Sequence, residues 1–402
     1  MHERSGGAPL ERGRLAGRQH GLAAGRLRFT ESYTEAAEFA DVHFLVVGTP
    51  QNKRDSSADM SYIDAAIDAL CPHLDRPTLI VGKSTVPVGT AQRLAERARG
   101  IAPAGDGVEL AWNPEFLREG LALQDTLHPD RIVVGVEDRP DSRSEGILRA
   151  LYAPLLDCGT PFLVTTLETA ELVKVAANAF LATKISFINA IAEVCEVTSA
   201  NIATLADAIG YDNRIGRRFL DAGLGFGGGC LSKDIRGFVT RATELGVGDS
   251  LNFLREIDDL NCRRRARIVD ITRDACGSLA GARVGILGAA FKPNTDDIRD
   301  SPALDVANRI QSEGAEVSVF DPKAMDNARK AFPTLNYAFS AVDACTGVDA
   351  VLVLTEWDEF RNLRPADLAG VTRANHLIDA RNCLEPGAWR AAGWTYRGFG
   401  RQ

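Results

Sequence analysis

The sequence predicts an α/β protein made of two doubly wound layers joined by a block of long helices. Three observations carry this. Between Val42 and Asp157, short β-rich runs alternate with helical stretches, the pattern of a mainly parallel sheet with covering helices. From Glu168 to Thr198 there is no Gly or Pro, which suits one helix of roughly eight turns. After Arg283 the alternation returns. The boundaries that follow are 1–157 for the first layer, 158–276 for the helical block and 277–402 for the second layer.

Each element has its own signal. Val42–Val47, Thr78–Val81 and Arg131–Val136 are short apolar, β-branched runs, read as buried strands. Tyr62–Leu70 and Thr90–Arg99 have helical patterning between them. The Gly- and Pro-free helix is followed by a short helix, Ile202–Ile209, then a glycine run, then a helix-like segment from Lys233 to about Leu245. Ser250 to about Ala275 reads as another long helix with Ser250 as its N-cap. In the last zone, Arg283–Gly288 is a strand running into a glycine turn. Glu316–Phe320 and Asp349–Leu354 are further strands, and Ala303–Glu313 is a helix.

Bulk properties exclude several classes. The chain has 402 residues, 45% hydrophobic and 25% charged, as in ordinary globular proteins. A net charge of −8 argues against nucleic acid as a partner. No unbroken apolar run approaches the ~20 residues of a membrane span. Arginines 4, 12, 14, 18, 26 and 28 crowd the start without an apolar core for a secretory signal. The eight cysteines are scattered without a CxxC pair, so neither a zinc site nor a redox dithiol is expected. Reduced thiols and a cytoplasmic location are the expectation.

The chemistry centres on one thiol. Gly223-Leu224-Gly225-Phe226-Gly227-Gly228-Gly229 leads into Cys230-Leu231-Ser232-Lys233-Asp234. Glycine reaches positive φ without strain, so this backbone can approach a ligand closely. A cysteine beside a helix N-terminus and a lysine is expected to be a good nucleophile. Asp234, four residues on, shares its helical face. The alternative, a core cysteine after a glycine turn, does not account for the Cys/Lys/Asp grouping. Lys174 and Asn178 are likewise four apart on the long helix and share a face.

Several ordered strings resemble the UDP-glucose/GDP-mannose dehydrogenase family. They are Gly48-Thr49-Pro50-Gln51, Lys83 through Thr90, Asn113 through Gly120, Glu171-Leu172-Val173-Lys174 with Ala177 through Phe180, Arg214-Ile215-Gly216, the cysteine loop, Ala290 through Asp297, and Asp379-Ala380-Arg381-Asn382. The resemblance runs from about Gly25 to the C-terminus. It implies two Rossmann-like domains around a central dimerising domain, NAD as cofactor, and oxidation of a sugar C6 alcohol to the acid by two hydride transfers. By that resemblance Cys230 forms a thiohemiacetal and then a thioester. Lys174 stabilises oxyanions, and Asn178 holds substrate and water. Asp234 assists the first oxidation, Glu115 is the general base of hydrolysis, and Thr85 stands beside the site and cofactor. Substrate contacts fall to Phe116, Leu117, Arg214, Phe226, Gly227, Phe291, Lys292 and Arg381, and cofactor contacts to Gly48, Thr49, Thr85, Glu119 and Lys233. The substrate implied is UDP-glucose, with GDP-mannose or a UDP-N-acetylhexosamine as alternatives. A homodimer is implied in which Arg214 reaches the neighbouring site.

The pattern breaks at the start of the chain. The family's strand, Gly-x-Gly-x-x-Gly turn and helix are not found, and Gly6-Gly7 and Gly13 lack the preceding strand and the spacing. The first domain is therefore expected to lack a βαβ unit of roughly 30 residues. It should expose a sheet edge and bind NAD weakly, which leaves open a UDP-sugar-binding paralogue without full catalysis. Asp221 stands where the family usually has Asn or Lys, and Ala380 where it has Gly.

Overall fold

The structure is a computed structural model that describes residues 20–401 apart from 53, 54 and 56. Gly6, Gly7 and Gly13 lie outside the described residues. The chain divides into two compact units at Ala176/Ala177.

The first unit is built on five strands, β1 (Val42–Leu45), β2 (Thr78–Gly82), β3 (Val108–Trp112), β4 (Ile132–Val136) and β5 (Phe162–Thr166), lying in that order. All neighbours are parallel except β3 and β4, which meet antiparallel at Trp112 and Gly135. Successive side chains of a strand point to opposite faces. Accordingly Ile80, Leu110 and Val133 enter one apolar cluster while Leu79, Val81, Ala111, Ile132 and Val134 enter another. Burial on both faces explains why these strands read as continuous apolar runs. Among the described residues β1 pairs only with β2.

Helices α1 (Tyr33–Phe39), α2 (Ser61–Leu70), α3 (Thr90–Ile101), α4 (Ala122–Leu127) and α5 (Ser144–Leu156) surround this sheet. Helix α6 then runs unbroken for 32 residues, Leu167–Thr198, as its lack of Gly and Pro requires. By length and composition α6 is long and apolar enough to cross a membrane. It is nonetheless a packing helix: Leu167 and Ala170 join the first unit's core, and Ala179, Ala182, Ile188, Ala192 and Cys195 join clusters of the second.

In the second unit, α7 (Ile202–Gly210), α8 (Leu231–Glu244) and α9 (Asn252–Cys276) precede a six-stranded sheet. Ser250 does not cap α9. It lies in a 3₁₀ turn, Gly248–Leu251, and the helix starts after Leu251 with no side-chain capping bond. The turn takes the serine's amide to Val247 O, which removes Ser250 from the N-cap position. The sheet contains β6 (Arg283–Leu287), β7 (Glu316–Phe320), β8 (Asn336–Tyr337), β9 (Ala350–Val353), β10 (His376–Asp379) and β11 (Thr395–Gly398), all parallel. Their order is β11-β10-β9-β6-β7-β8. The chain reverses direction across the sheet between β6 and β9, so a ligand crevice is expected outside the carboxyl ends there.

Candidate active site

In the first unit, the candidate residues cluster at the carboxyl ends of β1, β2 and β3. Thr49 Oγ1 donates to Thr85 O at 2.8 Å and Ser84 Oγ to Val47 O at 2.6 Å, which ties the two loops together. Gly48 has open space where a side chain would stand. Glu115 follows β3. Its Oε2 accepts the Leu117 amide at 2.5 Å, and Lys174 Nζ donates to its Oε1 at 3.3 Å. Lys174, on α6, is buried. The Phe116 ring lies between cations, with Arg131 3.8 Å and Lys174 5.6 Å from its centroid. Leu117 was expected to offer its amide to substrate, but that amide is already taken by Glu115. Glu119 is half-buried on the segment leading to α4.

Two residues of this unit carry more than sequence reading gave them. Glu171, one turn before Lys174, accepts the amides of Gly89 and Ala91 at 2.7 and 2.6 Å. It thereby closes the N-terminus of α3 and fixes the loop bearing Thr85 to the helix bearing Lys174. Burial pushes its carboxyl up to about 7 against those donors. Lys83 donates to Asn113 Oδ1 at 2.9 Å, and Tyr152 donates to the same oxygen at 2.6 Å. Burial lowers Lys83 to about 8, partly offset by Glu115. Both belong to strings singled out in the sequence, but only burial marks them individually.

In the second unit, Cys230 is the N-cap of α8 and is exposed. Asp234 in the first turn suits the positive end of the helix dipole. It is only 4% exposed. Asn178 donates to its Oδ2 at 2.6 Å, and Lys233 pairs with Oδ1 at 2.9 Å. Asp234 thus holds Asn178 and Lys233 together one turn into the helix that Cys230 heads.

The glycine run forms one wall of a cleft of about 640 Å³. Phe226, Gly227, Phe291, Lys292 and Arg381 all line it. Arg361, Arg401 and Arg217 add basic side chains that the sequence did not single out. Arg217 pairs with Asp221 at 2.8 Å, so that unusual aspartate sits in an ion pair on the cleft wall. Arg381 donates to Leu354 O at 2.8 Å and Gly225 O at 2.9 Å, and pairs with Glu356 at 3.2 Å. It clamps the glycine run against the second sheet as well as facing the cleft. Arg214 does not line the cleft; its exposed side chain pairs with Asp212 at 2.6 Å.

The helix and turn sites that could take a diphosphate are filled from within. Ala289 and Ala290, after the Gly288 turn, donate to Asp321 Oδ2 at 2.8 and 2.9 Å. Glu109 accepts the amides of Arg143 and Ser144 at the start of α5, as Glu171 does at α3. An anion-binding helix terminus needs free amides, and the amides named here are already bonded. No group of His, Cys, Asp and Glu among the described residues could hold a metal ion.

Comparisons with known proteins agree with this layout. Residues 4–156 match the NAD binding domain of the UDP-glucose/GDP-mannose dehydrogenase family, 168–263 its central domain and 285–386 its UDP binding domain. A UDP-glucose 6-dehydrogenase of Rhizobium meliloti (strain 1021) is 42% identical over 380 residues, which is 94% of this chain and 86% of that protein. One of Bacillus subtilis (strain 168) is 38% identical over 94% of this chain and 80% of its own length. The solved structure of a UDP-glucose dehydrogenase from Pyrobaculum islandicum superposes with a TM-score of 0.86 at 36% identity, covering 96% of this chain and 85% of that one.

Proposed function

The chain belongs to the UDP-glucose/GDP-mannose dehydrogenase family, and from that premise we propose that it oxidises the C6 alcohol of UDP-glucose to the acid. It is an NAD-dependent oxidoreductase acting on UDP-sugars. The observation that carries the finer reading is the glycine strap. It walls the cleft at Gly223, Gly225, Phe226 and Gly227, and it ends in an exposed cysteine at a helix N-cap with the Asn178–Asp234 pair beside it.

Gly48, Thr49 and Thr85 at the ends of β1 and β2, with Glu119 and Lys233, would hold NAD, which would supply the hydride acceptor for both oxidations. The chain's own residues do the rest. Lys292 and Arg381 offer positive charge to the diphosphate. Asn178 and Asp234 hold the substrate hydroxyl, and the Asp234 carboxylate takes its proton. Cys230 Sγ adds to the aldehyde carbon, and the acid level is then held as a thioester on the same sulfur. Lys174 stabilises the oxyanion. Glu115 takes a proton from the water that cleaves the C–S bond, releasing the acid and the thiol.

A second reading, a UDP-sugar-binding chain without turnover, draws on the closed helix termini at α3 and α5. One experiment separates the two. The purified chain is mixed with UDP-glucose and millimolar NAD. Two NADH per sugar are expected. UDP-glucose binding without NADH would establish the second reading.

We read the protein as a cytoplasmic homodimer. In support, α6 carries Phe180, Phe187 and Val194 at intervals of seven, 66%, 49% and 53% exposed, an apolar seam suited to pairing with another helix. Arg214, paired with Asp212, is exposed at the surface outside the cleft. Light scattering is expected to give twice the 43.3 kDa chain mass, and Phe187→Glu to give monomers. A wild-type monomer at micromolar concentration would sink this part.

A further inference from the structure

The strap from Gly223 to Gly229 belongs to no helix or strand, so its backbone groups need partners from elsewhere. Gly223 N donates to Asn189 Oδ1 at 2.8 Å, and Gly223 O accepts from Arg264 at 3.1 Å. Gly225 O accepts from Arg381, and Gly228 N donates to Arg299 O. At the centre, Phe226 is held at both ends of its backbone by one side chain. Its N–H donates to Asn261 Oδ1 at 2.9 Å, and its carbonyl accepts from Asn261 Nδ2 at 2.9 Å. Asn261, on α9, is 1% exposed.

We propose that Asn261 is the positioning residue that sets Cys230 at the head of α8. The proposal rests on the reading of Cys230 as the nucleophile.

A primary amide is the side chain that presents a donor and an acceptor side by side, so it pairs with one residue's N–H and C=O as a neighbouring strand does. Fit around it is close. Gly225 has φ +97°, and a Cβ there would stand 2.2 Å from Asn261 Oδ1. The residue before Phe226 is therefore glycine for two reasons, backbone conformation and room for this amide. Phe226 and Gly227 line the cleft, and three glycines separate Phe226 from Cys230. A shift at Phe226 thus moves the cleft wall and the thiol together. Arg265 also reaches Phe226 O, at 3.5 Å, but among the described residues only Asn261 accepts from Phe226 N–H, so the amide's bond is not replaced when Asn261 is lost.

The test compares wild type with Asn261→Leu, which removes both bonds, and Asn261→Asp, which keeps the acceptor for the Phe226 amide. Two readouts are taken at a temperature where melting curves show each variant folded. The first is iodoacetamide labelling of Cys230 against Cys158. Both are exposed, and Cys158 lies in the other unit, so it reports general loosening. A thiolate at a helix N-cap is stabilised by the first amides. The Cys230:Cys158 ratio is expected to fall at least about fivefold in Asn261→Leu, and less in Asn261→Asp. The second readout is kcat, expected to drop roughly 10- to 100-fold, with KM for UDP-glucose changed far less. A labelling ratio within twofold of wild type in a folded variant would overturn the proposal and leave Asn261 a fold-stabilising residue. If Asn261→Leu does not fold, Asn261→Asp decides by the same ratio. Should wild type form no NADH, the dehydrogenase reading fails, while the labelling ratio still decides the role of Asn261.

Discussion

Serine in place of Cys230 is expected to lower NADH formation from UDP-glucose by roughly 10³-fold or more. The two side chains differ by one atom in place and by chemistry in effect. A thiol yields a strong nucleophile near neutral pH and leaves readily from an acyl carbon, whereas a serine hydroxyl does neither without a base to activate it. Asp234, one helical turn on, is held by Asn178 and Lys233. Cys230 is exposed, so the variant should melt close to wild type, as surface substitutions usually change stability by only about 0.5 kcal/mol. UDP-glucose binding by calorimetry should persist, because the cleft wall from Gly223 to Gly227 is untouched. Near wild-type turnover in the serine variant would remove Cys230 from the mechanism.

Glu115→Gln should separate oxidation from hydrolysis. Glutamine keeps the shape and can still accept the Leu117 amide that now lies 2.5 Å from Oε2. It cannot take a proton from water. Loss of a general base costs roughly 10²- to 10⁴-fold in the step it serves. The expected result is a rapid burst of about two NADH per chain, followed by slow turnover, with the sugar acid attached to Cys230 and visible by mass spectrometry. Steady turnover without an adduct would assign the base elsewhere. Lys174 provides an internal control. It is only 6% exposed and pairs with Glu115 at 3.3 Å, so removing the carboxylate leaves a buried cation without its partner. Some loss of thermal stability is therefore expected in Glu115→Gln that Cys230→Ser does not show.

The order of elements was legible because it depends on local pattern. Continuous apolar runs at Thr78–Val81 and Arg131–Val136 became strands buried on both faces, and the absence of Gly and Pro over Glu168–Thr198 became one helix. The start of α9 was misread at Ser250. A serine signals an N-cap only if the chain enters the helix beside it, and a tight turn moved that entry by two residues.

At the site, local reasoning reached the groups that act through close sequence neighbours. Cys230 with Asp234, and Lys174 with Asn178, are each one helical turn apart, so a 3.6-residue period suffices to place them together. Partners that come from distant parts of the chain were beyond it. Glu171 meets Gly89 across about 80 residues, and Asn261 meets Phe226 across 35. Nothing in an isolated Asn or Glu marks it as the holder of a particular backbone amide.

The sequence by itself therefore determined the class of fold and the family, because strand, helix and turn preferences and the motif strings are properties of short segments. Only the tertiary structure decided which amides are free and which are already spent. The amides after the Gly288 turn, at the starts of α3 and α5, and of Leu117 are each bonded to a carboxylate of the same chain. A buried donor must find an acceptor, and which acceptor it finds is settled by packing between segments far apart in sequence.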